Sequence, residues 1–182
     1  SKDIDVHIKV KSKPEKGGVS FKGNQEDLYK MNLYSRTGMY LLKKLFEFKA
    51  KNINSIYKEV LKYKWSSILD STKTFAIRTK MKSEFFDNSG FLTLKIKDAI
   101  VDRVRKDTGK RPSIDKLNSN FKIFVIIKND TIKIYLDSSG RPLFMRGYRA
   151  KIHKASLNEC LAAGLVLLSN WDKKSSFYPF LV

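Results

Sequence analysis

The stretch from Phe121 to Asp137, FKIFVIIKNDTIKIYLD, constrains the fold more than any other part of the chain. Two β-branched, apolar runs are separated by Asn129 and Asp130, residue types that tolerate the backbone of a tight turn. The stretch reads as a β-hairpin. Helical patterns lie upstream of it. NINSIYKEVLKYKW puts Ile53, Ile56, Val60 and Leu61 on one side of a helix. FLTLKIKDAIVDRVRKDTG is a longer helix ending at Gly109. On a wheel at about 100° per residue, Ile96, Ile100, Val101 and Val104 form its buried stripe and Asp98, Asp102, Arg105 and Lys106 its wet face. Between the two helices, KTFAIRTKMK alternates Phe75 and Ile77 with Arg78, Lys80 and Lys82, the pattern of a strand.

The rest of the chain divides as follows. Asp5 to Val10 alternates as a strand, KSKPEKGG reads as a turn and VSF as a second short strand. NQEDLYKMNLYSR is a helix with Asn24 as N-cap and Glu26 and Asp27 in its first turn. Leu28, Met31 and Leu33 could face a core. The second half of GMYLLKKLFEFKA, with Leu45, Phe46 and Phe48, reads as a strand. KRPSIDKLNSN is a loop, SSGRP a turn and LFMRGYR a last strand. ASLNECLAAGLVLLSNW closes the pattern as a helix that is apolar on nearly every side. The fold class is α+β: two small units, residues 1–50 and 51–150, and a trailing helix in residues 151–182.

Charge narrows the functional classes. Lys and Arg number 37 against 18 Asp and Glu, a formal net charge of +19. Such a surplus attracts polyanions, nucleic acid first and an anionic membrane surface second. No apolar run approaches the roughly 18 residues of a membrane span. Cys160 is the sole cysteine and sits in an apolar run, so it reads as a small buried residue rather than a nucleophile, in a reducing cytoplasm. His7 and His153 have no cysteine or carboxylate at metal-ligand spacing, and no glycine-rich phosphate loop or serine–histidine–acid grouping is present.

The binding candidates are cationic. Lys97 falls inside the apolar stripe of the long helix. It reads either as a lysine laying its stem over the core or as an ammonium held to meet a phosphate. Arg141, Arg146, Arg149, Lys151 and Lys154 run along one segment with Phe144 and Tyr148 interleaved. Arginine grips phosphate through paired hydrogen bonds and aromatic rings stack on unpaired bases. The expected RNA-binding residues are Lys97, Arg146 and Arg149, then Arg78, Lys80, Lys151, Lys154 and Tyr148.

Several phrases, in order, carry a resemblance: GGVSFKG, LYKMNLYSRTGMYLLKKLFEFKAKNINSIYKEVLKYKWSSILD, TFAIRTK, LKIKDAIVDRVRKDTGKRPSID, IYLDSSGRPLFMRGYR and ASLNECLAAGLVLLSNW. Along nearly its whole length the chain resembles the N-terminal half of the THUMP-containing ribosomal RNA guanine-N(2) methyltransferases of bacteria. The resemblance implies a partial ferredoxin-like N-terminal unit, a THUMP RNA-binding domain, and a linker helix leading toward a Rossmann-like domain that binds S-adenosylmethionine. In that family the helix is followed by a D-P-F-C-G-S-G cofactor loop and later by an N-P-P-Y motif. Here Tyr178, Pro179, Phe180 and Leu181 stand where the loop would open, and the chain ends at Val182. The expectation is therefore RNA capture without catalysis: no cofactor in this chain and a methyltransferase domain in cis or in trans. The other readings are the THUMP module of a transfer RNA-modifying enzyme, or a stand-alone interaction module that associates with itself through the last helix.

Overall fold

The computed structural model describes residues 10–69, 72–147, 156–172 and 174. The chain forms two compact units: Ser1–Leu41 with Arg141–Val182, and Leu42–Gly140.

In the first unit, β1 (Ser12–Glu15) and β2 (Gly18–Phe21) pair antiparallel, Glu15 opposite Gly18. The stretch KSKPEKGG is thus mostly strand, and the turn shrinks to Lys16 and Gly17. Gly17, at φ 83°, supplies the left-handed step a two-residue hairpin needs. The proline that suggested a turn, Pro14, sits in β1 opposite Val19, and among the described residues β1 pairs with β2 alone. Helix α1 (Gln25–Tyr34) opens with a reciprocal capping box. Asn24 Oδ1 accepts from the Asp27 amide, and Asp27 Oδ2 accepts from the Asn24 amide, each at 2.9 Å. Met31 is buried against Val10, Phe21 and Leu41, whereas Leu33 faces solvent. The strand Asp5–Val10 falls almost wholly outside the described residues.

LFMRGYR is not a strand where it is described. Met145 N–H donates to Pro142 and Arg146 N–H to Phe144, so the backbone turns tightly instead of extending. The last helix, α4 (Glu159–Leu168), starts at Asn158, whose side chain accepts from the Cys160 amide. Cys160 is buried, its thiol 3.3 Å from the Gly38 carbonyl oxygen.

The second unit is a five-stranded sheet with helices on one face. Its strands are β3 (Leu42–Lys49), β4 (Thr74–Lys82), β5 (Ser113–Ile114), β6 (Phe121–Lys128) and β7 (Thr131–Asp137), in spatial order β3-β7-β6-β4-β5. The hairpin read from sequence is β6–β7, with Asn129 at φ 51° in its turn. Its partners come from far away in the chain. β4 joins β6 in parallel, and β3 joins β7 antiparallel with a bulge between Lys44 and Phe46. Helices α2 (Ile53–Lys62) and α3 (Ser89–Thr108) cover the inner face. Ile56 and Val60 of α2 and Leu92, Ile96, Ile100 and Val104 of α3 pack with Ile123, Val125, Ile127, Ile132 and Ile134 in one core. Trp65, in the 3₁₀ turn Trp65–Ser67, is fully buried and donates its indole N–H to the Val60 carbonyl at 2.8 Å. Gly109, at φ 73°, closes α3 as a left-handed cap.

Candidate nucleic-acid interface

Strand alternation decides where the charges of the second unit go. Odd-numbered residues of β4 and β6 enter the core, so even-numbered ones stand on the face that no helix of this unit covers. On β4 that face carries Arg78, Lys80 and Lys82; on β6 it carries Lys122, Phe124, Ile126 and Lys128. The pairing sets these residues in rows: Arg78 opposite Phe124, Lys80 opposite Ile126, and Lys82 opposite Lys128. The rows continue across β7 and β3. Tyr135 and Lys44 extend the first, Lys133 and Glu47 the second, and Thr131 and Lys49 the third.

Charge is unevenly compensated along these rows. Glu47 answers Lys44 at 3.2 Å and Lys133 at 3.9 Å, on the β3 side of the sheet. On the β4 side, Arg78, Lys80, Lys82 and Lys128 are exposed and face no carboxylate across the strands. Like charges on facing positions of neighbouring strands disfavour pairing, and Lys82 and Lys128 occupy such positions. The Arg78 guanidinium lies over the Phe124 ring, 5.6 Å from its centroid.

Of the residues expected to bind RNA, the structure thus brings Arg78 and Lys80 together. Lys97 lies elsewhere, on α3 at the opposite side of the sheet. Its ammonium is partly buried and meets Asp98 Oδ1 at 2.7 Å, so it already has an anion. Arg146 belongs to the first unit and has a structural occupation. Its Nη1 donates to the Leu33 carbonyl at 2.7 Å. Its Nη2 donates to those of Asn32 and Ser35 at 3.1 and 2.8 Å, and its Nε to that of Leu143 at 2.8 Å. These are largely the orphan carbonyls at the C-terminus of α1, a helix with no basic residue in its own last turn. The guanidinium expected to grip phosphate spends most of its donors on backbone. Tyr148, Arg149, Lys151 and Lys154 lie outside the described residues.

Sequence reasoning missed Lys128 and Lys122, because their alignment with β4 exists only once β4 and β6 pair in parallel. It also missed Arg103, which repeats the role of Arg146. Arg103 Nη1 donates to the Leu61 and Lys62 carbonyls that end α2, while its Nε pairs with Asp107 at 3.0 Å. That pairing, followed by the hydroxyl of Ser66, holds the Asp107 carboxyl below its ordinary range. The Tyr57 hydroxyl, by donating to Asp102 Oδ2 at 2.7 Å, is held above its ordinary value. Among the described residues no group of three or more His, Cys, Asp or Glu is placed so that it could hold a metal ion, and none of their helices is long and apolar enough to cross a membrane.

This open-faced sheet has relatives. Residues 50–137 match the family model described as the THUMP domain, and residues 5–39 match that of the RlmL ferredoxin-like domain. The second unit is a THUMP domain. The chain carrying it is similar to the proteins named ribosomal RNA large subunit methyltransferase K/L. It is 39% identical to the one from Psychromonas ingrahamii over 90% of this chain, and 40% identical to the one from Colwellia psychrerythraea over 92%. It spans 22% and 23% of the length of those two relatives. Among solved structures, the chain is similar to a predicted N6-adenine-specific DNA methylase from Listeria monocytogenes, with a TM-score of 0.80, 27% identity and coverage of 93% of this chain and 44% of that one. It is also similar to SMU.472, assigned as a methyltransferase and solved in complex with SAH, with a TM-score of 0.76, 26% identity and coverage of 97% and 46%.

Proposed function

We propose that this chain is the RNA-recognition part of an S-adenosylmethionine-dependent methyltransferase that modifies a guanine N2 of large-subunit ribosomal RNA. In this reading its THUMP domain captures structured RNA on the helix-free face of the sheet, and the chemistry belongs to a catalytic domain acting in cis or in trans. The site would work in the cytoplasm, where the RNA of assembling ribosomes lies. One observation supports the surface in particular: Arg78, Lys80, Lys82 and Lys128 form a column and a row of cations that face no carboxylate across the strands. Lys82 and Lys128 put like charges on facing positions, and a phosphate backbone is the anion that offsets them. The helix-side alternative is weaker, because Lys97 is already paired.

The relatives' names differ on the nucleic acid: ribosomal RNA for the methyltransferases K/L and DNA for the Listeria monocytogenes protein. Ribosomal RNA is favoured because those relatives are the more similar in sequence, 39% and 40% against 27%. The test is competition binding of this chain to large-subunit ribosomal RNA domains, transfer RNA and duplex DNA at fixed salt. The reading expects ribosomal RNA to win by tenfold or more. Preference for transfer RNA would favour a THUMP module of a transfer RNA-modifying enzyme instead, and absence of RNA binding would remove the proposal.

A further inference from the structure

The sheet of the second unit has an edge that its own strands cover only in part. β5 lies along β4 for two positions, Ser113 beside Thr74 and Ile114 beside Phe75. The chain then turns away. Asp115 Oδ1 accepts from the Leu117 and Asn118 amides at 2.8 and 2.9 Å, and Asn120 Oδ1 accepts from the Thr74 amide at 2.9 Å as the chain passes to β6. From Ala76 to Lys82, β4 therefore pairs on one side alone among the described residues, with β6.

Two hydrogen bonds fix which backbone groups turn outward. In a parallel pair the N–H and C=O of one residue point to the same neighbour, and those of the next residue point away. The Lys82 carbonyl accepts from the Asn129 amide at 2.9 Å, on the β6 side, and the Phe75 carbonyl from the Asp115 amide at 3.3 Å, on the β5 side. Even-numbered residues of β4 thus bond toward β6, and odd-numbered ones face the other way. Ile77, Thr79 and Met81 present their amides and carbonyls to the open edge, at the spacing of a strand.

The two faces flanking this edge differ in chemistry. On the core side, Ile77 and Met81 are half-buried, and the Thr79 hydroxyl lies 2.6 Å from that of Thr93 on α3. On the helix-free side stand Arg78, Lys80 and Lys82, which face Phe124, Ile126 and Lys128 and no carboxylate. We propose that β4 receives an added strand along Ala76–Lys82, supplied by an extended segment of a partner protein that alternates acidic and apolar residues. The outward amides and carbonyls form the ladder. Apolar residues of the segment cover Ile77 and Met81, and its carboxylates meet Arg78, Lys80 and Lys82. Charged side chains on an edge oppose pairing with a like-charged strand, and a second copy of this chain, at +19, is such a partner. Nucleic acid carries no matching row of amide donors and carbonyl acceptors. The edge is therefore a site distinct from the sheet face, and the proposal does not depend on the RNA reading.

The experiment adds a synthetic peptide of alternating glutamate and valine, about seven residues long, to the whole chain and follows amide hydrogen exchange by NMR. The peptide is expected to slow exchange at Ile77, Thr79 and Met81 about tenfold or more, and to leave Arg78 and Lys80, already bonded toward β6, unchanged. The same peptide N-methylated on the amides that would join the ladder is expected to bind about tenfold more weakly or worse, as is a peptide of alternating lysine and valine. These comparisons leave the protein unaltered, so no loss of folding can imitate them. Arg78→Glu with Lys80→Glu is expected to reverse the preference toward the lysine peptide. Unchanged exchange at the three amides, or equal affinity for the N-methylated peptide, overturns the added strand. Equal affinity for the lysine peptide overturns the acidic partner. Protection of the three amides that rises with protein concentration in the absence of peptide assigns the edge to a second copy, and protection by a single-stranded RNA in place of the peptide assigns it to RNA; either result overturns the proposal.

Discussion

Arg146→Lys separates a structural arginine from a phosphate-binding one, because it keeps the charge and removes the fork. In the structure the guanidinium reaches the carbonyls of Asn32, Leu33, Ser35 and Leu143 at 2.7–3.1 Å. A lysine ammonium is a point donor and cannot span acceptors on both sides of a helix end. Each bond from a charged donor contributes about 1.5–3 kcal/mol when buried and less when wet. Arg146 is only partly buried, so the set is worth roughly 2–4 kcal/mol, with most of that lost in Arg146→Lys and all of it in Arg146→Ala. At about 4–8 °C per kcal/mol for a unit of this size, melting of the first unit falls by about 8 °C or more in Arg146→Ala and by somewhat less in Arg146→Lys. Hydrogen exchange is the assay, read at the amides of α1 against those of β6. The account expects α1 to lose protection in both variants, β6 to keep it, and the salt slope of RNA binding to stay the same in Arg146→Lys. Unchanged α1 protection with a flattened salt slope in Arg146→Ala would refute the argument and return Arg146 to the RNA surface.

Two further outcomes follow from side-chain chemistry. Tyr57→Phe deletes the bond to Asp102 and should cost about 1 kcal/mol at neutral pH. Because the folded pKa is raised, the contribution is complete below the ordinary tyrosine value and fades as pH rises through the folded one. Urea midpoints of the two chains should therefore converge under alkali. Asp107 behaves in the opposite sense. Its pKa is lowered by Arg103 and Ser66, so its contribution is present above the ordinary carboxylate range and is lost as pH falls through the folded value. Asp107→Asn should be less stable than the parent near pH 7 and indistinguishable from it in strong acid.

The legible parts of the fold were those with a strong local signal. Asn24 caps α1 where the sequence places it, the stripe of α3 is buried as its period requires, and the Asn129–Asp130 turn joins β6 to β7. The misread parts were those in which a pairing partner, near or distant in the chain, outweighs local propensity. Ser12–Glu15 is a strand because Gly18–Phe21 pairs with it, despite Pro14 and the glycines. The segment around Arg146 bends because α1, more than a hundred residues earlier in the chain, offers carbonyls to its guanidinium. The same limit applies to the site. Alternation exposed Arg78 and Lys80 on one face, but no local rule sets Lys128 beside Lys82, a register that depends on the parallel pairing of β4 with β6.

The central claim is that the helix-free face of the THUMP sheet meets the phosphate backbone. Its most direct test is the salt dependence of RNA affinity for the parent chain, for Lys97→Ala, and for the triple change Arg78→Ala, Lys80→Ala and Lys128→Ala. Each lost phosphate contact should reduce the slope of log K against log salt by about 0.7–0.9. The account predicts a slope smaller by about 2 in the triple variant and unchanged in Lys97→Ala. A triple variant with the parent's slope, or a Lys97→Ala variant that flattens it, would contradict it.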